Sequence, residues 1–266
     1  MIKNIKIVVP TLNTYLILPR LIKSLKMQTW TNWNLLFVDG ESSKKHFEWL
    51  KNSCNRDSRL NFIKQERKFK GIYGAMNQGF QTIKNEEWIL FWGSDDWAIS
   101  NQVLENIVKK VNSYPNEFDL IVCKGRYIND KSNKLSRNSN FFNNKFSEIL
   151  NRRIFRKKLF LGMTPPHQTT IFSKKAFKKL SAFSDDFLLA SDLDYFLKFS
   201  EIENISVLVI NNELVNMSTD GISGRKHKLR LREVLLSYKK SFGVFFIIPF
   251  IFRYIRKVSL KFFKIL

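Results

Sequence analysis

Residues 86–97 read EEWILFWGSDDW. The apolar run 88–92 is short enough to be a buried strand, and it stops at Gly93, Ser94, Asp95 and Asp96. This predicts two adjacent carboxylates at the carboxyl end of a hydrophobic strand. In open α/β sheets that edge binds ligands, because the loops leaving the strands form the crevice there. Adjacent carboxylates repel each other unless a cation, hydrogen bonds or water offset the repulsion, so a divalent metal carrying a phosphate is a chemically economical partner. The same residues also read as an Asp- and Ser-rich turn, and the rest of the chain must decide.

Upstream, residues 5–9 are β-branched and apolar, closed by Pro10, with Thr11 and Asn13 in the loop that follows. Leu18, Leu21, Ile22 and Leu25 recur at helical spacing. Residues 34–38 give a second strand ended by Asp39 and Gly40, and Ser42 and Ser43 are placed to cap a helix through Phe47, Trp49 and Leu50. A third strand is expected at 60–63. The basic loop QERKFKGIYG then feeds a helix over 75–83. Downstream of the opening stretch come a helix over 102–111 and a strand at 119–123. This alternation predicts an α/β fold, a Rossmann-like, mostly parallel sheet with helices on both faces.

Residues 125–153 are polar, and their outer part reads as a mobile loop. A strand-like QTTIF and a helix over 174–180 follow, then ASDLDYFLKF. There Leu193, Phe196 and Leu197 share one helical face, leaving Asp192 near the helix start and Asp194 on another side. Residues 205–210 and 213–217 read as two strands joined by a turn at Asn211 and Asn212. Beyond Gly224 the chain turns basic, with Glu233 its one acid. The expected division is a catalytic-type domain of residues 1–224 and a basic amphipathic C-terminal helical extension of 225–266.

With 266 residues, 44% of them hydrophobic, the chain can bury a sizeable core. Its formal charge of +22, from 45 basic and 23 acidic residues, predicts attraction to polyanions: nucleic acid, anionic lipid or nucleotide-linked substrates. Two distant cysteines, Cys54 and Cys123, suggest neither a disulfide framework nor a zinc cluster, which makes a reducing cytosol the default. The beginning, MIKNIKIVVPT, reads as a first strand instead of a secretory signal. The run 244–252, broken by Pro249, is about half the roughly 20 residues of a spanning helix.

The pieces VVPTLN, LLFVDGESS, GIYGAMNQGF, LFWGSDDW, PPHQTTIF, ASDLDYFLKF and DGISG occur in this order and end at residue 224. Together they resemble the family 2 glycosyltransferases, nucleotide-sugar enzymes of the GT-A fold. The resemblance implies that Pro10, Thr11 and Asn13 line the base and ribose pocket, with Asp39 accepting a hydrogen bond from the base. An imide N–H, as in uracil, suits a carboxylate acceptor. Gly71, Asn77, Ser94 and Asp95 complete the implied donor-binding set. For Gly71, Gly74 and Gly79, packing is the alternative to close backbone approach to the nucleotide, and at Gly79 the sequence does not choose.

The family's Asp-x-Asp triplet has Gly93 in its first place here. Ligation of Mg²⁺ or Mn²⁺ therefore rests on Asp95 and Asp96, with diphosphate and water completing the shell. In ASDLDYFLKF, Ser191 stands where the family has Glu, while Asp192 keeps the place of the catalytic base. His167 is assigned to acceptor binding, and Asp194 to a structural or acceptor-positioning role. Residues 221–224 resemble a loop that closes over the donor, with Arg225 or His227 in reach of the diphosphate.

The tail mixes Phe and Ile with Arg253, Arg256, Lys257, Lys261 and Lys264. On a helix this predicts a segment lying in the bilayer interface, its cations near anionic head groups; a helix packed on the protein is the alternative. The resulting expectation is a metal-dependent, inverting hexosyl- or N-acetylhexosaminyltransferase, cytoplasmic and peripherally held on the inner face of the membrane. It would move sugar from a UDP-sugar to a saccharide or lipid-linked acceptor in cell-surface polysaccharide biosynthesis. Two other readings compete: a fold of this kind that binds nucleotide-sugar without catalysis, which Gly93 and Ser191 keep open, and a basic nucleic-acid-binding module. Against the latter, the cations gather in a Phe-rich tail instead of a recognisable nucleic-acid motif, so no nucleic acid partner is expected.

Overall fold

The computed structural model describes residues 1–130, 132–139, 141, 147–219 and 226–262, the last six of these by backbone alone. Four parallel strands, β1 (Asn4–Thr11), β2 (Trp33–Asp39), β3 (Leu60–Lys64) and β4 (Glu87–Phe91), lie in the spatial order β3-β2-β1-β4. Alternate side chains of β1 enter two separate cores, Ile5, Ile7 and Val9 on one face and Val8 on the other. A strand covered on both faces buries nearly every residue, which is why these runs are continuously apolar. Helix α1 (Leu18–Lys26) packs on the first face and α3 (Gly71–Gln81) on the second, while α2 (Lys44–Asn55) returns the chain from β2 to β3. The register pairs Thr11 with Asp39 and Val8 with Phe91, so β1, β2 and β4 end at one edge.

Beyond β4 come the two-residue β5 (Trp97–Ala98) and α4 (Val103–Asn112), and then β6 (Leu120–Asn129). Strand β9 (Thr170–Ser173) is antiparallel to both β4 and β6 and joins the two halves of the sheet, with the short α6 (Lys174–Lys179) directly after it. The long β10 (Ser206–Ser218) runs parallel to β6. It is one strand, not the two expected: Asn211 and Asn212 sit where the register shifts between Val209 and Glu213, a bulge that lets pairing resume in the same direction.

The stretch 125–153 also departs from expectation. Strand β6 continues to Asn129, and β7 (Lys134–Asn138), β8 (Glu148–Asn151) and α5 (Arg152–Phe160) follow it. Every β7 residue is exposed, so no alternation betrayed the strand. Residues 142–146 lie outside the described residues. Helix α3 starts at Gly71, earlier than read, and Ser43 stands at the start of α2 without a side-chain capping bond.

On the second face, aromatic rings join α3, β4, β9 and α7 (Ser191–Phe199). Phe80 meets Phe91 at 5.4 Å and Phe172 at 5.7 Å, and Phe183 meets Tyr195 at 4.7 Å between centroids. The basic C-terminal segment forms α8 (His227–Phe242) and α9 (Ile247–Phe262). Helix α8 buries Val234 and Tyr238 in this same core. Helix α9 lays Phe250 and Tyr254 against it, and Pro249 sits in the first turn of α9, where its missing N–H breaks no helical bond. No helix among the described residues is long and apolar enough to cross a membrane.

Gly79 is settled by packing. A Cβ there would stand 2.4 Å from Val8 Cγ1, so α3 rests on β1 only because residue 79 has no side chain. Gly79→Ala should cost about 1–3 kcal/mol in denaturant unfolding, and Val8→Ala in the same chain should recover part of that loss.

Candidate functional site

A cavity of about 860 Å³ opens where β1 and β4 end. Pro10 and Thr11 form one wall, Gly71 and Tyr73 of α3 a second, and residues 92–96 the floor. Residues 162–168 and Asp192 close the far side. Gly71 has φ +66°, and nothing lies within 4 Å of where a Cβ would stand, so the backbone there is open to close approach.

The turn after β4 is fastened to its neighbours. Ser94 Oγ donates to the Pro10 carbonyl at 2.9 Å and accepts from Thr14 Oγ1 at 3.1 Å. The Arg20 guanidinium lies 3.4 Å over the Trp97 ring and donates to the Asp95 carbonyl at 3.2 Å. Asp96, 2% exposed, turns its carboxylate back to accept the Gly93 N–H at 2.6 Å. Burial first, and the Asp95 charge second, push the Asp96 carboxyl well above the ordinary range. Burial also raises Asp95, against the backbone and Ser218 hydrogen bonds and Arg20, which lower it. A Cβ at Gly93 would stand 2.7 Å from Asp95 Oδ1, so this fold of the two carboxylates uses the space a larger residue would take.

Asp192 occupies the second position of α7. Its Oδ1 accepts the Leu193 N–H at 2.8 Å and the Tyr73 hydroxyl at 3.3 Å, and His167 Nδ1 stands 3.5 Å from Oδ2. Burial acts to raise this carboxyl, but His167, the Leu193 N–H and the Arg253 charge outweigh it and the net shift is downward. Burial keeps the Tyr73 phenol far above its usual value, so it faces Asp192 as a neutral donor. The cavity therefore holds two adjacent carboxyls raised by burial, Asp95 and Asp96, and a third, Asp192, that is held in its ionised form.

Among the described residues no three His, Cys, Asp or Glu come together as a metal site. Asp95 and Asp96 offer adjacent hard oxygen donors, which fits a cation that draws its other ligands from phosphate and water. Of the two, Asp95 is the less buried.

The sequence model described as "Glycosyl transferase family 2" matches residues 6–181. The chain belongs to that family. A "PGL/p-HBAD biosynthesis glycosyltransferase" of Mycobacterium tuberculosis is 28% identical over 108 residues, 41% of this chain and 41% of that protein. The chain thus matches about two fifths of that relative's length. Among solved structures, S. aureus TarS 1-349 in complex with UDP-GlcNAc superposes with a TM-score of 0.67 at 16% identity, over 90% of this chain and 67% of that one. The mannosyltransferase PcManGT from Pyrobaculum calidifontis, in complex with GDP-Man and Mn2+, gives 0.64 at 14% identity, over 96% and 70%. These likenesses show the GT-A fold.

In this family 2 chain, the expected site residues separate into two groups. Pro10, Thr11, Gly71, Ser94, Asp95, Asp96, His167 and Asp192 share the cavity. Four others do not line it. Asp39, 2% exposed, accepts Thr11 Oγ1 at 3.0 Å and Ser42 Oγ at 2.6 Å on Oδ1, and the Ser42 N–H at 3.1 Å on Oδ2. Asn13, in the left-handed region at φ 54°, accepts the Ser43 N–H at 2.9 Å and ties the loop after β1 to the loop after β2. Asn77 exchanges two hydrogen bonds with the Phe183 backbone, at 2.7 and 2.9 Å, instead of meeting the donor. Asp194 is buried one step round α7 and pairs with Lys198 at 2.7 Å, away from the acceptor side. Residues 221–225 lie outside the described residues, and His227 is exposed at the start of α8.

The sequence did not single out the residue that shapes the acid-bearing helix. Glu233 of α8 reaches across to accept the N–H groups of Leu188 at 3.0 Å, Leu189 at 2.7 Å and Ala190 at 3.0 Å, the three residues leading into α7. The only signal was that it is the lone acid in a basic stretch. Glu233→Ala leaves three peptide donors without their acceptor and should cost roughly 3 kcal/mol or more of unfolding free energy. Glu233→Gln, which keeps one acceptor oxygen, should lose less than half of that in the same denaturant titration.

Proposed function

We propose that the chain is an inverting glycosyltransferase that moves a sugar from a nucleoside-diphosphate donor, a UDP-sugar, to a hydroxyl of a saccharide or lipid-linked acceptor in surface-glycan assembly. The observation that carries this is the placement of Asp95 and Asp192 in one cavity, at the end of β4 and the start of α7. Pro10 and Thr11 border the nucleoside, with Asp39 holding Thr11 in place instead of reading the base. Gly71 gives the donor room against the backbone. The UDP-GlcNAc complex of the S. aureus structure and the Mn2+ complex of the archaeal one support the donor class and a divalent ion. Bound at Asp95 and Asp96, Mg²⁺ or Mn²⁺ would neutralise charge on the leaving diphosphate.

In the reaction the acceptor oxygen bonds to the anomeric carbon as the bond from that carbon to the diphosphate oxygen breaks, and the nucleoside diphosphate leaves with the bonding pair. Asp192 takes the hydroxyl proton on the face opposite the leaving group, which makes the displacement inverting. The Leu193 N–H and Tyr73 hydroxyl hold Oδ1, leaving Oδ2 toward His167 and the acceptor. The exposed Ile and Phe of α9 and the surplus of positive charge support residence at the cytoplasmic face of an anionic membrane.

Asp192→Asn should lower transfer by about 10²–10⁴-fold while UDP-sugar affinity stays within about twofold; full activity of the variant overturns the base assignment. Asp95→Asn should instead abolish the Mn²⁺ dependence of UDP binding in calorimetry. Because the folded Asp192 carboxyl lies below its unfolded value of about 3.9, its charge stabilises the fold above that pH and loses this effect as pH falls through the folded value. The difference in Tm between Asp192→Asn and the parent chain should therefore be largest near neutrality and close below about pH 4.

A further inference from the structure

We propose that Arg253 and Arg256 form an anion subsite on the acceptor side of the cavity, built to hold the phosphate or diphosphate of an amphiphilic acceptor whose hydrocarbon lies along the outer face of α9. This rests on the glycosyltransferase reading and names its acceptor class. Both arginines line the cavity that holds Asp192, although they belong to the C-terminal helix. The helix is held close: a Cβ on Gly162 would stand 2.5 Å from Arg253 N and Cα, so α9 crosses the turn at 162 with no room for a side chain. Arg253 Nη1 donates to Thr164 Oγ1, and its Nε is buried with no acceptor among the described residues.

A partly buried guanidinium with donors to spare matches an anion that presents several oxygens in one plane. Arg20, which does not line the cavity, acts on Asp95 and Asp96, whereas Arg253, which does, acts on Asp192.

The other side of the same helix says what the anion is attached to. Ile247, Ile248, Ile251, Phe252 and Ile255 are all exposed and recur at helical spacing, a continuous apolar stripe next to the two arginines. Such a face, on a chain of formal charge +22, complements the acyl and head-group layers of an anionic membrane. One helix thus offers hydrocarbon contact outside and phosphate contact inside, the two ends of a lipid-linked phosphate.

Calorimetry on the full chain, with UDP and Mn²⁺ saturating the donor site, tests this with farnesyl diphosphate, inorganic diphosphate and farnesol as probes. Farnesyl diphosphate should bind at least tenfold tighter than either other probe. Arg253→Gln/Arg256→Gln should weaken it at least tenfold with UDP affinity unchanged, which also reports that the variant is folded. Ile251→Asn/Ile255→Asn, at two exposed positions, should bring farnesyl diphosphate down to the affinity of inorganic diphosphate. Equal binding of the two diphosphates by the parent chain overturns the amphiphile and leaves a free-phosphate site. Loss of UDP affinity in the arginine variant assigns those residues to the donor and overturns the subsite. Flotation with phosphatidylglycerol vesicles that is unaffected by the arginine variant, together with no farnesyl diphosphate binding, leaves surface attraction only and also overturns it. Failure of UDP to bind the parent chain would remove the glycosyltransferase reading itself, and it appears in a separate titration.

Discussion

Four carboxylates crowd the carboxyl edge of this sheet, and the fold has to offset each charge that it takes out of water. How it does so sorts them by role. Asp39 is surrounded by hydroxyl and peptide donors and becomes a brace between β1 and β2. Asp96 is spent on the Gly93 N–H and shapes the turn after β4. Asp192 is kept ionised by His167, a peptide N–H and a distant guanidinium. Asp95 is less buried than its neighbour Asp96, which leaves it open to an incoming cation.

Much of this was legible in the chain. Parallel strands buried on both faces leave continuous apolar runs, so the four strands of the first half and the polar residues at their ends were readable. The separation of Asp192 from Asp194 followed from helical geometry, since two residues turn the side chain to another face. What the sequence did not carry was direction and distance. Asn77 is polar in a helix near the site, yet its amide is consumed by Phe183, more than a hundred residues away. Asp39 ends β2 as read, but only the folded chain brings Ser42 and Thr11 onto its oxygens. The strand β7 escaped because a fully exposed strand has no alternation to display, and β8 because its four residues bury only Leu150.

The C-terminal helices show the same limit more strongly. Their composition predicted an amphipathic surface element, and α9 does expose an apolar stripe. Composition could not show that α8 contributes Val234 and Tyr238 to a core otherwise built from α3, β9 and α7. Nor could it show that Arg253 belongs to the cavity and not to the outer face. Both facts arise from contacts between segments that are distant in sequence, where local periodicity carries no information.

The bonds from Glu233 to the peptide groups of Leu188, Leu189 and Ala190 have a consequence for how such proteins are built and altered. A tail that is only an anchor is a module, exchangeable between catalytic cores like a handle. Here the C-terminal segment also sets the shape of the loop that leads into α7 and Asp192. Chimaeras joined near residue 225 would need the donor of the tail and the donor of the 188–190 loop to be the same parent, and the two segments are expected to vary together wherever this architecture recurs.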